Sequence, residues 1–146
     1  MESRWISLVS GLVVALAAIS GGGCHPANYR PDLATREYPW TLHRTQDVPI
    51  QCFREGSTVQ ILNSTPRGYD SVAIWINQRF LLEGVDLPAG ESTMIDLWQF
   101  RDHLGEQFRA GGIWRTEPPM PVRLIEIQAD PESPTVGLIA IPPREL

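Results

Sequence analysis

Residues 71–80, SVAIWINQRF, constrain the fold more than any other stretch of the chain. Val72, Ile74, Ile76 and Phe80 alternate with Ala73, Trp75, Asn77 and Arg79, and successive side chains of a strand point to opposite faces. The pattern predicts one long β-strand with an apolar face. Its second face sets a large ring beside an amide and a guanidinium. That strand is expected at the centre of a small all-β domain over residues 47–146.

Around it the chain is punctuated for turns: thirteen prolines and twelve glycines favour short strands over long helices. Strands are predicted at 49–53 and 58–63, the latter with Val59 and Ile61 opposed to Gln60 and Leu62. A turn cluster at 64–68 precedes the central strand, and a strand interrupted by Gly84 and a turn at 87–90 follow it. A strand at 93–100 leads through 102–105, with Gly105 at positive φ, into 107–110. An edge strand is expected at 113–116, before Pro118, Pro119 and Pro121, and a last pair at 122–128 and 135–141. Residues 92–104 also fit a short helix, with Ser92 as cap and Met94, Leu97, Trp98 and Leu104 on one stripe. Seven to eight short antiparallel strands are the pattern of a β-sandwich or barrel. An immunoglobulin-like sandwich is the commonest solution at this size, although the paired cysteines of antibody domains are missing.

The N-terminus has the layout of an export signal over residues 1–23. Residues 6–19 are apolar apart from small residues, shorter than the roughly 20 needed to span a bilayer. An uncleaved anchor helix is the alternative. Gly21-Gly22-Gly23-Cys24 resembles the lipobox of bacterial lipoproteins, except that Gly21 stands where an aliphatic residue is usual. The resemblance implies a Cys24 carrying a diacylglyceryl group and a fatty acyl chain such as palmitate. The mature protein would then be a lipoprotein of the cell envelope, on the outer membrane or the periplasmic face, since His25 rather than aspartate follows the cysteine. Ordinary cleavage that leaves Cys24 as a thiol, or a Cys24–Cys52 disulfide, stays open. Residues 24–46, with prolines at 26, 31 and 39, read as a tether. Tyr38 and Trp40 are expected to pack its second half on the domain edge.

A net charge of -5 with scattered acidic residues argues against nucleic acid as a partner. All twelve basic residues are arginine, which excludes Schiff-base chemistry and a phosphate-loop lysine. No nucleophile, phosphate-loop or metal motif is present, so no cofactor and no metal are predicted. Cys52 reads as a buried structural thiol. Asp102, His103 and Glu106 read as a solvated turn, and Asp130 with Glu132 as too few oxygens for calcium. The candidate binding surface consists of Trp114 and Arg115, with Trp75, Asn77 and Arg79 as a stripe on the central strand. Core packing is the competing expectation for Trp75 and Trp98. These features predict a non-enzymatic interaction or structural module, held to a lipid membrane by its N-terminal acyl anchor and meeting an envelope protein or glycan. The alternatives are a carbohydrate-binding module using Trp114 and Trp40, or an enzyme assembled from distant residues such as His103, Asp102 and Glu106.

Overall fold

A computed structural model describes residues 29–42, 46–112 and 118–141. The signal segment and Cys24 lie outside these residues, as do Trp114, Arg115 and the expected edge strand at 113–116. The described residues form seven strands: β1 (Asp47–Glu55), β2 (Thr58–Asn63), β3 (Tyr69–Ile76), β4 (Phe80–Leu87), β5 (Ser92–Asp96), β6 (Ile125–Gln128) and β7 (Val136–Ile141). The described residues contain no α-helix, only 3-10 turns at Pro31–Leu33 and Leu97–Gln99. Among them no helix is long and apolar enough to cross a membrane.

All seven strands hydrogen-bond in one sheet of order β4-β3-β6-β7-β1-β2-β5. The predicted sandwich would divide them between two facing sheets. Here β6 pairs with both β3 and β7, and β7 pairs in parallel with β1, so the first and last strands of the described residues are stitched together. The sheet is therefore mixed rather than wholly antiparallel. It curls until its end strands approach, where the Thr93 hydroxyl donates to the Asp86 carbonyl at 3.0 Å. The result is nearly a barrel, a shape that removes most of the exposed edge an open sheet would leave.

The stretch 71–80 is not one strand. Asn77 and Gln78 both take positive φ, 53° and 56°, and the Arg79 N–H donates to the Ile76 carbonyl at 3.1 Å. Two successive residues at positive φ are what a type I′ turn needs, so the chain reverses and Phe80 opens β4. The Asn77 side chain fixes this turn to a distant segment. Its Oδ1 accepts from the Arg123 and Leu124 N–H groups at 2.9 and 3.2 Å, and its Nδ2 donates to Pro121 O at 2.8 Å. Farther along the hairpin, an extra residue on each strand shifts the register and shifts it back. Gly84, at φ 74°, supplies the bulge on β4.

The interior is filled by alternate residues: Val72, Ile74 and Ile76 from β3, Ile50 and Cys52 from β1, Val59 and Ile61 from β2, and Ile125 and Ile127 from β6. Phe80, Phe100 and Phe108 add aromatic bulk, with Phe80 and Phe108 edge to face at 5.2 Å. Trp98 is partly buried against this core. Asn63 plugs one end. It is fully buried, and its Nδ2 donates to the Arg67 and Leu87 carbonyls at 2.8 and 2.9 Å. The segment 92–104 is neither all strand nor helix. β5 ends at Asp96, whose carboxylate caps the 3-10 turn by accepting from the Trp98 N–H at 3.0 Å.

The outer face of β3 is also buried. Ala73 and Trp75 form a second cluster with Leu81 and Tyr38. Tyr38 belongs to the segment read as a tether and packs on the domain as expected of that segment's second half; contact with the domain already begins at Tyr29, in its first half. The Arg30 N–H donates to Gly105 O and the Thr35 N–H to Asp102 O, each at 3.0 Å. Gly105 is required here. Its φ is 84°, and an added Cβ would lie 2.0 Å from the Arg30 carbonyl oxygen.

Candidate functional site

The turn after Phe100 was expected to be solvated, yet its aspartate is a structural hub. Asp102 is fully buried. Its Oδ1 accepts from the Leu104 and Glu106 N–H groups at 3.0 and 2.8 Å, which shapes the turn. Its Oδ2 accepts from Arg79 Nε and Nη2 at 3.0 and 2.8 Å. Burial alone would raise the carboxyl's pKa, but Arg79 and the two N–H donors together outweigh it and hold it below the usual range. Arg79 also pairs with Glu106 and lies over the Phe80 ring at 4.9 Å. Asp102 is thus committed to the turn, while His103 beside it is exposed and forms no hydrogen bond among the described residues. The enzyme alternative built on these three residues gains no catalytic geometry from them.

On the other side of Arg79 the β3–β4 turn meets the segment 37–40 in a cleft of about 250 Å³. One wall is Asn77, Gln78 and Arg79. The other is Glu37, Tyr38 and Trp40, and His103 stands at the edge. Trp40 is 55% exposed, although its indole meets Tyr38 edge-on at 4.8 Å. Tyr38 in turn meets Trp75 edge-on at 5.2 Å, so three rings step from solvent into the outer cluster. Their geometry is the edge-to-face arrangement aromatic pairs prefer.

Tyr38 is held from below. Its hydroxyl donates to the buried Glu126 carboxyl group at 3.1 Å, and Thr135 donates to Glu126 Oε1 at 3.0 Å. Burial, and secondarily Glu126, raise the Tyr38 pKa above its ordinary value, so the hydroxyl stays a donor. Trp75 is fixed as firmly. Its Nε1 donates to Gln128 Oε1 at 3.1 Å, and Gln128 spends its own amide on the Ser133 carbonyl at 2.7 Å. The Arg36 guanidinium covers the Trp75 ring at 4.9 Å while its Nε donates to Glu83 at 3.0 Å.

The expected binding stripe therefore divides. Trp75 is 0% exposed and belongs to the core beneath the cleft. Asn77 and Arg79 do reach the cleft, but from a turn rather than from a shared strand face. Trp114, Arg115 and Cys24 lie outside the described residues. Trp40 carries the cleft's exposed ring, yet it sits in a proline-spaced segment that resembled a tether. Its only signal in sequence was the aromatic pair Tyr38 and Trp40 flanking Pro39. Cys52 is buried, as expected, and has no disulfide partner among the described residues, which leave out Cys24; burial pushes its thiol up to about 12. The Asp130 carboxylate is used within its own turn, accepting from the Glu132 N–H at 3.0 Å and from the Ser133 hydroxyl. Among the described residues no cluster of three or more histidine, cysteine or acidic side chains is placed to hold a metal ion. Set against known protein families, curated proteins and solved structures, the chain finds no match.

Proposed function

We propose that the chain is a non-enzymatic binding module of a bacterial envelope, tethered through an acylated Cys24 and taking a glycan in the Trp40 cleft. The observation that supports this most is Trp40 itself. A ring more than half exposed, braced by a buried partner and ringed by hydrogen-bonding side chains, suits the apolar face of a sugar. Such pockets fix orientation with a few polar groups around an apolar surface. Glu37, Gln78 and His103 are polar groups of the cleft that the turn does not consume, Gln78 making one bond of 3.4 Å to the Tyr38 hydroxyl.

The full-length chain should co-sediment with insoluble cell-wall glycan, and Trp40→Ala should remove most of that retention. Because the indole stands largely in solvent, the variant's melting temperature should stay close to that of the wild type. Retention that is equal for both proteins, or absent for both, removes the glycan from this cleft.

A further inference from the structure

We infer that the barrel end away from Asn63 is a binding site for a single-chain amphiphile with a carboxylate head, such as a medium-chain fatty acid. At the mouth formed by β1, β2, β6 and β7 there is a hollow of about 410 Å³, within the size range of small-molecule pockets. It shares no lining residue with the Trp40 cleft, although Asn77 of that cleft bonds to Pro121, Arg123 and Leu124 at the hollow's edge, and decanoate binding is read separately from glycan retention.

Its walls are apolar. Cys52, Val59 and Ile125 point inward from their strands, Ala140 stands beside Cys52 as its partner in the parallel pair, and Val122 adds a further apolar side chain. Cys52 contributes as a hydrocarbon-like group. Burial pushes its thiol up to about 12, so it carries no charge near neutral pH. A hollow so lined favours a chain with no polar atoms to desolvate.

The rim supplies the opposite chemistry. Arg54 and Arg123 both line the hollow. Arg54 donates to the Gly56, Ala110 and Met120 carbonyls, using three of its N–H groups; a guanidinium has five donors, so about two remain. Among the described residues neither arginine forms an ion pair with a carboxylate. In a chain of net charge -5 this leaves two cations beside an apolar hollow. An anionic head joined to an apolar tail complements both parts at once. The carboxylate would take charge-assisted hydrogen bonds at the rim while the tail displaces water from the hollow.

Calorimetric titration of the full-length chain with decanoate tests the assignment. Decanoate should bind with defined stoichiometry, and decanol, of equal tail but neutral head, about tenfold more weakly. Arg123→Gln, at an exposed rim position, should weaken decanoate by about tenfold and decanol little. Ala140→Leu, which fills the hollow, should abolish both. Added salt should weaken decanoate alone. Equal binding of decanoate and decanol, or decanoate binding unchanged in both variants, overturns the assignment. So does retention on anionic phospholipid vesicles without decanoate binding, which points to a membrane surface instead.

Discussion

On the outer face of β4, β3 and β6, Leu81, Trp75 and Glu126 form a cross-strand row lying under Tyr38 and Arg36. On the outer face of β7, β1, β2 and β5, Ile141, Phe53, Gln60 and Met94 form an equivalent row. Beside it runs Ile139, Gln51, Leu62 and Ser92. Five of these eight residues are apolar, yet Met94 is 55% and Ile139 45% exposed. Both halves belong to one sheet, so strand pairing does not distinguish them. What does is the segment 29–42, which supplies a covering layer to the first half alone. A sheet face that is covered can afford a tryptophan and a buried carboxyl group; an uncovered one keeps glutamines between its apolar residues.

The contrast can be broken at three levels. Trp75→Ala should cost about 3–5 kcal/mol, because it removes a fully buried ring and leaves Gln128, Tyr38 and Arg36 facing a cavity. Chemical denaturation measures this. A loss below about 1 kcal/mol would place Trp75 among ordinary surface positions and end the distinction.

Next in size is the anchor of the covering segment. Asp102→Asn should cost about 2–3 kcal/mol at neutral pH, since its carboxylate takes charge-assisted bonds from Arg79 and two backbone N–H groups. The folded pKa lies below the ordinary value, so the ionised form favours the native state. That contribution is fully present above about pH 4, the unfolded aspartate range, and disappears as pH falls through the lower folded value. The stability gap between wild type and Asp102→Asn should therefore narrow on acidification. A gap independent of pH would detach Asp102 from this role.

Smallest are changes on the bare half. Met94→Thr and Ile139→Thr keep β propensity and should each shift stability by less than about 0.5 kcal/mol. Losses as large as that of Trp75→Ala would mean that something covers this face too.

Much of the inner barrel could be read from the chain. The residues 58–63 form β2 with the expected alternation, and Gly105 takes the positive φ anticipated for it. The turn at Asn77 and Gln78 escaped for a specific reason. Ile76 pairs with Phe80, leaving three residues between them, so Phe80 falls on the same face as Val72, Ile74 and Ile76. The period-two pattern passes straight through the reversal, and no glycine marks it. The Trp40 cleft was hidden for another reason. It joins residues about forty positions apart, Trp40 and Arg79 among them, and no local periodicity reports such a meeting. Glu126 likewise sits in a strand that alternates isoleucine with a polar residue, with nothing nearby to announce Tyr38 as its donor.

The position of β7 governs when the protein can become itself. Cys52 lies beside Ala140 in the parallel pair, with most of the domain's length between them. Until residue 141 has left the ribosome, β5-β2-β1 and β4-β3-β6 are two separate three-stranded pieces with no shared ladder. Such long-range pairing is slow to form, because the chain entropy is lost before the contacts repay it. Until β7 arrives, each half exposes an unpaired strand edge, so the closing strand also protects the protein from pairing with other chains.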